Sequence, residues 1–396
     1  MRPAAVLQAD RTATFPDSMK RALATSLLLA CLLAAIFATA QAGSATPTPR
    51  APKGFFGIGP QSTLSDEDAT YMKAGGIESV RWPVAWSAVQ PTAKGGYDWS
   101  SFDETVAIAA RHGLQVLPFL VSTPRWIATK PTTLPINNGR ARKAWTDFLE
   151  AAVERYGPGG EFWDLHAPGP AAPGTEKYLP RISKPLPIRN WQIWNEANFF
   201  YFAYPASPQR YASLLKISSP AIKRVDPSAK VILTGLFGKP TASGARGMPA
   251  ATFLELLYRT PGIKSYFDGI ALHPYAVDTE TLEELVEALH DVTVKNHDRV
   301  PLYITEMGWG SQNDFNIVAF EQGIQGQVRQ LKGAYAYLLE NRNRLDLKQV
   351  YWFSWKDLAD SCSFCDSVGF FREGKRFHPK PAWRAFVAIS GGRARP

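Results

Sequence analysis

The sequence has few of the residues that bind metal ions or form redox pairs. Only three of its 396 residues are cysteine and six are histidine. Cys362 and Cys365 form a C-x-x-C pair near the end of the chain, whereas a structural zinc site needs four ligands and a thioredoxin-like motif opens a helix after an early strand. The pair therefore predicts a small-loop disulfide, typical of an oxidising compartment. We expect no metal site and no cofactor.

Three motifs of other enzyme classes are also missing. The chain contains neither the H-E-x-x-H of zinc proteases nor the G-x-S-x-G elbow of serine hydrolases. Residues 235–241 are glycine-rich, but they depart from the phosphate-loop spacing, and Pro240 lacks a backbone donor that such a loop needs. A nucleotide enzyme, a zinc protease and a serine hydrolase are therefore not expected.

The positive charge of the chain does not gather in one segment of the sequence. The formal net charge is +9, and Lys and Arg are interspersed with Asp and Glu. This pattern lacks the basic cluster that nucleic-acid binding requires, so we expect no nucleic-acid partner.

The first 53 residues differ from the remainder. Lys20 and Arg21 precede an apolar run at 22–40, which ends in Ala40-Gln41-Ala42, the pattern of a secretory signal peptide with a cleavage site. We predict a signal peptide at 1–42, with Met19 as the true start, and a Pro/Thr-rich linker at 43–53. Secretion without stable membrane insertion is expected. An N-terminal membrane anchor is the alternative, because the run approaches the roughly 20 residues of a membrane span.

From residue 54 to 396 short apolar runs alternate with helix-length amphipathic segments. The strands are predicted at 55–59, 78–86, 114–120, 190–195, 230–236, 269–273, 302–306 and 350–355. The helices are predicted at 65–74, 99–112, 140–156, 208–225, 250–259, 282–296, 326–341 and 380–389. Strict βα alternation with apolar strands indicates parallel strands buried on both faces. Eight units favour an α/β fold of the (β/α)₈ TIM-barrel type, with one catalytic domain.

Polar residues stand where several of these strands end. Strand 4 ends in Asn195-Glu196, strand 6 in His273-Pro274-Tyr275, and strand 7 at Glu306. Because barrel active sites lie at the carboxyl ends of the strands, these side chains should converge.

Two glutamates at one barrel mouth suit cleavage of a glycosidic bond. One protonated carboxyl would protonate the departing oxygen while the other carboxylate attacks the anomeric carbon. Their environments must keep one acid and one ionised. We expect Arg81 to favour the charged form of Glu306, and desolvation to favour the neutral form of Glu196.

Four short segments resemble retaining glycoside hydrolases of clan A, especially families 39 and 5. Residues 194–198 (Trp-Asn-Glu-Ala-Asn) resemble their strand 4 segment, and residues 304–308 (Ile-Thr-Glu-Met-Gly) their nucleophile segment. Residues 272–275 (Leu-His-Pro-Tyr) and 80–82 (Val-Arg-Trp) are similar to their strand 6 and strand 2 segments. The resemblance runs from about residue 54 to the end of the chain, and it departs from the family at Ala197, where proline is usual.

The resemblance implies a role for each of these residues. Glu196 is the expected acid/base and Glu306 the expected nucleophile. The substrate-binding residues would be Asn195 at the sugar 2-hydroxyl, Arg81 and Tyr275 at the nucleophile, His273 beside the reacting sugar and Trp355 as a sugar platform. Trp126, in a βα loop, would be a further stacking residue, with core packing as the alternative.

The expected activity is that of a secreted retaining glycoside hydrolase acting on a poly- or oligosaccharide. Two alternatives remain open at this point. One is a barrel that binds carbohydrate without cleaving it. The other is a transglycosylase, which would use the same covalent intermediate with a sugar acceptor.

Overall fold

The computed structural model describes residues 51–167, 181–313, 319–359, 361–362, 364–374 and 376–396. The predicted signal peptide and most of the linker lie outside these ranges. Within them, no helix combines the length and the apolar character needed to cross a membrane.

Eight parallel strands form a closed barrel in the order of the chain. They are β1 Phe56–Gly59, β2 Ser79–Ala85, β3 Gln115–Val121, β4 Asn190–Ile193, β5 Lys230–Phe237, β6 Gly269–His273, β7 Leu302–Met307 and β8 Leu347–Phe353. The barrel closes between β1 and β8, where Phe56 pairs with Val350 and Gly59 with Phe353. The predicted (β/α)₈ fold is therefore confirmed.

Helices surround the barrel. They are α1 Asp66–Ala74, α2 Trp86–Val89, α3 Ser100–Arg111, α4 Gly139–Tyr156, α5 Glu161–Leu165, α6 Pro208–Val225, α7 Ala250–Tyr258, α8 Thr279–Lys295, α9 Gly323–Asn341 and α10 Pro381–Ser390. The short helices α2 and α5 were not predicted, because four or five residues are too few to establish a helical period.

Local sequence fixes where the helices begin. Ser65 and Asp68 form a reciprocal capping box at the start of α1, and the side chain of Asp278 accepts the backbone N–H of Thr281 at the start of α8. Proline occupies the first turn of α6 and of α10, where no intrahelical donor is required.

The barrel interior below the site is filled by side chains. Leu117, Ile232, Ala271, Tyr303 and Tyr351 form a separate buried cluster. The Tyr351 ring has room because Gly57 on β1 lacks a side chain: a Cβ there would lie 2.3 Å from the ring. The interior is thus a packed core.

Candidate active site

The chain turns sharply where β4 ends. Trp194 and Glu196 both have positive φ angles, 70° and 38°, which are costly for residues with a side chain. The neighbouring strand β5 holds this turn: the Glu196 N–H donates to the Gly235 carbonyl at 3.1 Å, and the Ala197 N–H donates to the Thr234 hydroxyl at 3.2 Å. The second bond explains the departure at position 197, since proline has no N–H to donate.

The carboxyl of Glu196 is buried beside His273. Only 5% of the residue is exposed, and its Oε1 lies 2.7 Å from His273 Nδ1. Burial raises the pKa of Glu196 well above its ordinary value, the charge of Glu306 raises it further, and Arg81 acts in the opposite direction. The environment therefore favours the protonated acid.

His273 is neutral in this setting. Complete burial, and then the positive charge of Arg81, lower its pKa well below the ordinary value. Its Nε2 lies 2.9 Å from the Thr305 hydroxyl, so both ring nitrogens have partners. Gly235 makes this position possible, because a Cβ there would lie 1.9 Å from Nε2.

Glu306 is the penultimate residue of β7 and has a partner on each oxygen. Arg81 Nη1 donates to Oε1 at 2.5 Å, and the Tyr275 hydroxyl donates to Oε2 at 2.8 Å. Burial, followed by the charge of Glu306, raises the pKa of Tyr275 well above its ordinary value, so the phenol remains a donor. Two charge-assisted donors thus orient the carboxylate.

Arg81 connects Glu306 to Asn195 and to the base of the site. Its Nη2 donates to Asn195 Oδ1 and its Nε to Gln192 Oε1, both at 2.7 Å. The guanidinium also lies 4.0 Å from the centre of the Phe119 ring. Because the rigid fork of the guanidinium is held on every side, it can position Glu306 and Asn195 together.

The two carboxyl groups are close to each other. One carboxylate oxygen of each glutamate and a ring nitrogen of His273 all lie within 4.8 Å of one another. Such a triad could in principle hold a cation. However, both oxygens of Glu306 are already engaged by Arg81 and Tyr275, and the adjacent guanidinium would repel a metal ion. The three residues are therefore better described as two neighbouring carboxyl groups, one of which is hydrogen-bonded to His273.

Six of the predicted site residues come together at this barrel mouth: Glu196, Glu306, Arg81, Asn195, His273 and Tyr275. Trp126 does not contact them. It is partly buried in the loop after β3, where its Nε1 donates to the Gln90 carbonyl at 2.9 Å. Its role as a stacking residue stays a prediction.

Trp355 does not have the position predicted for it. It is 1% exposed, its Nε1 donates to Asp68 Oδ1 at 2.8 Å, and its ring packs against Phe371 and Trp383. No ring face is free for a sugar, so the prediction of a platform is wrong. Strand β8 ends two residues earlier, at Phe353, whose ring lies 6.2 Å from that of Tyr275.

The sequence interpretation missed three supporting residues. Gln192 and Thr305 are completely buried polar residues on apolar strands; Gln192 Nε2 donates to the Leu233 carbonyl at 3.0 Å and lies 3.3 Å from the Thr305 hydroxyl. Gly235 is the third. A polar residue inside a fully apolar strand is a usable signal, because burial without a partner is costly. The need for glycine at 235 could not be inferred before His273 had been placed.

The predicted disulfide is confirmed. Cys362 and Cys365 form a disulfide in the loop after β8. Phe364, between them, packs its ring 5.4 Å from that of Tyr275.

Comparison with known proteins finds similarity to glycoside hydrolases. Residues 59–151 match the family described as beta-galactosidase, glycoside hydrolase family 42. No match was found among curated protein sequences.

Solved structures with the same fold come from two further families. A family 39 glycoside hydrolase from the gut symbiont Bacteroides cellulosilyticus WH2 shares 20% identity with a TM-score of 0.58, over 85% of this chain and 63% of that one. A monomeric beta-xylosidase from Caulobacter crescentus CB15 shares 17% with a TM-score of 0.59, over 86% and 69%. A GH5_18 protein from Bifidobacterium longum subsp. infantis shares 15% with a TM-score of 0.58, over 86% and 80%.

These similarities define the fold as the TIM barrel found in glycoside hydrolases. The predicted resemblance to glycoside hydrolase families 39 and 5 is confirmed. The chain spans less than two thirds of the length of the Bacteroides protein.

Proposed function

We propose that this protein is a retaining O-glycosidase that acts on a poly- or oligosaccharide. The observation that carries the proposal is the pair of buried glutamates with opposed surroundings, whose nearest oxygens are within 4.8 Å. Retaining enzymes hold their carboxyl groups at about 5–5.5 Å, whereas inverting enzymes separate them by about 6.5–9.5 Å to admit water. The spacing therefore favours the retaining mechanism, with two displacements, over the inverting mechanism, with one.

In the first displacement, a Glu306 oxygen attacks the anomeric carbon. The bond between that carbon and the glycosidic oxygen breaks, and the proton of Glu196 passes to the departing oxygen. Arg81 and Tyr275 hold the attacking carboxylate in place. His273, neutral and 2.7 Å from Glu196, orients the acid without supplying a competing charge.

In the second displacement, the Glu196 carboxylate accepts a proton from a water molecule. The water oxygen attacks the anomeric carbon, the bond to Glu306 breaks, and Glu196 is protonated again. Asn195, fixed by Arg81 and next to Glu196 in the chain, holds a sugar hydroxyl near the reacting carbon.

We also propose that the enzyme works outside the cytoplasm. The signal-like segment at 1–42 and the disulfide in the loop after β8 support an oxidising, extracytoplasmic location. Expression of the full chain followed by N-terminal sequencing of the exported protein tests this. A protein that starts near residue 43 is expected, and one retained in the membrane with its N-terminus intact would contradict the proposal.

The activity is tested with aryl glycosides whose leaving groups differ in acidity. The Glu306→Gln variant should lose at least about 10⁴-fold in kcat on all of them, because no covalent intermediate can form. The Glu196→Ala variant should retain its first, burst-phase step on activated leaving groups and lose it on poor ones, since only the latter need a proton.

Glu340→Gln, on the exposed face of α9, is the matched control and should keep wild-type rates. Turnover by Glu306→Gln equal to wild type would mean that another residue is the nucleophile. Binding of polysaccharides without cleavage by the wild-type protein would favour a carbohydrate-binding barrel instead.

A further inference from the structure

Three loops beside Glu196 form one connected surface. They follow β3 (122–138), β4 (194–207) and β5 (238–249). The Tyr204 N–H donates to the Thr132 carbonyl at 3.2 Å, and the Phe200 N–H donates to the Arg246 carbonyl at 2.9 Å. Asn198 adds side-chain bonds to the Phe237 and Met248 carbonyls. We call these three loops the acid-side surface.

The acid-side surface exposes aromatic rings to solvent. Tyr201 is 64% exposed, Tyr204 48% and Phe202 36%, which makes them three of the six exposed large apolar side chains in the described ranges. Rings also lead back to the site: Tyr275 stacks near Phe237 at 5.7 Å, Phe237 lies 5.2 Å from Phe199, and Phe199 lies 4.9 Å from Tyr201. Clustered, exposed aromatic rings on a connected surface indicate a binding site rather than core packing.

The charge of this surface is one-sided. Its loops contain four basic residues, Arg125, Lys130, Lys239 and Arg246, and a single acid, Glu196, although the chain as a whole carries 35 acidic for 44 basic residues. All four basic side chains are exposed, and none forms an ion pair with any residue that the structure describes. A cluster of unpaired cations beside a catalytic site is suited to attract an anionic ligand.

Two of the cations lie over aromatic rings. The Arg246 guanidinium lies 3.9 Å from the centre of the Phe200 ring, and Lys130 Nζ lies 5.9 Å from that of Tyr204. A guanidinium that lies against a ring keeps its in-plane N–H donors free, and these match the two oxygens of a carboxylate. Aromatic faces and carboxylate-binding donors therefore occur side by side.

The proposed chemistry indicates which part of the substrate this surface contacts. The general acid must lie next to the oxygen that departs, and Glu196 itself belongs to the loop after β4, to which the other two loops are bonded. Resting on the proposed function, we propose that the acid-side surface binds the leaving-group portion of a carboxylate-bearing polysaccharide. Tyr201 and Tyr204 pack on apolar sugar faces, and Lys130 and Arg246 pair with uronate carboxylates.

The first experiment measures binding by isothermal titration at low ionic strength, with the Glu306→Gln protein to prevent cleavage. The probes are glucuronoxylan, hyaluronate and polygalacturonate, each compared with its carboxyl-reduced derivative, which has the same backbone without the charge. For at least one pair, the carboxylated form should bind about tenfold more tightly. Affinity that is equal, or undetectable, for both members of every pair overturns the proposal.

The second experiment identifies the surface. Lys130→Gln/Arg246→Gln should weaken binding of the carboxylated probe about tenfold, because each exposed ion pair contributes up to about fivefold. The matched control is Lys332→Gln/Arg384→Gln, which removes the same charge from exposed positions on α9 and α10 and should change binding less than twofold. Equal losses in the two double variants would reduce the effect to net charge and overturn the site.

The Tyr201→Ala variant distinguishes sugar binding from simple charge attraction. It should weaken binding of the carboxylated polysaccharide severalfold and leave binding of poly-glutamate, a polyanion without sugars, unchanged. Equal effects on both probes would overturn the sugar contact.

The two proposals can fail separately. A wild-type enzyme that cleaves neutral polysaccharides but does not prefer a carboxylated one would overturn this substrate class and leave the glycosidase intact. Carboxylate-dependent binding through Lys130 and Arg246, with no cleavage of any glycoside by the wild-type protein, would support the surface and overturn the glycosidase.

Discussion

At the scale of single residues, two chemically identical side chains in the site have different neighbours. Glu196 is buried against a neutral imidazole, whereas Glu306 is held by a guanidinium and a phenol. The difference arises from strands that are distant in sequence, β2 and β6, because Arg81 and His273 are delivered to the two carboxyl groups by the closed barrel.

This difference in surroundings predicts the pH dependence of the reaction. Because the pKa of Glu196 is raised and the acid must carry a proton, kcat/KM for a poor leaving group should fall as the pH rises through that pKa, above the ordinary carboxyl range. The Glu196→Gln variant, assayed in its first step on the same substrate, should lose this basic limb. A basic limb that persists unchanged in the variant would assign it to another group.

The corrected position of Trp355 gives a second prediction for a single residue. Trp355→Phe should keep kcat/KM within about twofold and cost about 1 kcal/mol of stability, because it removes one hydrogen bond to Asp68, which retains Lys356 at 2.7 Å. Phe353→Ala should lower kcat/KM by more, since its ring borders Tyr275. Steady-state kinetics with thermal unfolding on both variants checks this, and a large loss confined to Trp355→Phe would restore the platform role.

At the scale of elements, the loop after β8 supports the site from one side. Its Phe364 ring packs against those of Tyr275, Phe320 and Phe353, and the disulfide closes the four-residue turn that carries it. A buried ion pair anchors the same loop: Lys380 Nζ lies 2.7 Å from Asp357 Oδ1. Tyr275 is thus held by packing as well as by its bond to Glu306.

The disulfide should therefore affect activity as well as stability. Cys362→Ser/Cys365→Ser should reduce the free energy of unfolding by up to about 2 kcal/mol, the value for a very short closed loop. Measured well below the unfolding temperature, kcat/KM should fall about three- to tenfold through loss of roughly 1 kcal/mol of ring contact. Phe364→Leu, which keeps the disulfide, should lower kcat/KM without the same loss of stability. A stability loss alone in the serine variant would make the disulfide a purely structural link.

Some strand and helix bounds are determined by nearby residues in the sequence, and others are not. The bounds of β6 and α6 were predicted to the residue, because turn residues and caps stand at their ends in the sequence. The end of β8 was not. Tyr351, Phe353 and Trp355 share one face by the two-residue period, so the aromatic run extends the strand to Trp355, whereas pairing with β1 stops at Phe353. Where pairing stops depends on the partner strand.

At the scale of the whole molecule, the βα alternation was sufficient to predict the barrel. Strand ends predicted five of the six residues that converge, whereas Arg81 lies inside β2 and was indicated by the resemblance of residues 80–82 to a family segment. The acid-side surface was not predictable in this way. Lys130 and Arg246 are 116 positions apart in a chain whose charges are evenly mixed, and the parallel pairing of β3 and β5 with β4 brings their loops together. Which charged side chains come together in space depends on the order in which the strands pair, and the composition of the chain does not reveal that order.

The site should also lower the stability of the whole protein in a pH-dependent way. Glu196 has a raised pKa in the folded state and an ordinary one of about 4.3 when unfolded. Below the unfolded value the carboxyl is neutral in both states. As the pH rises through the folded pKa, the folded protein holds a proton that the unfolded chain has already released, so stability is lost over that interval.

Removing the ionisable group should remove this loss. The Glu196→Gln variant keeps a polar partner for His273 and carries no titrating acid, so its unfolding temperature relative to wild type should be nearly unchanged at pH 4 and rise toward neutral pH. The expected gain is on the order of a few degrees, given about 2–4 °C per kcal/mol in domains of moderate size. Calorimetry from pH 4 to 8 measures the difference, with Glu340→Gln as the exposed control. A difference that stays flat across this range would show that the Glu196 carboxyl ionises as freely in the folded barrel as in the unfolded chain, and the acid role would then have to be assigned elsewhere.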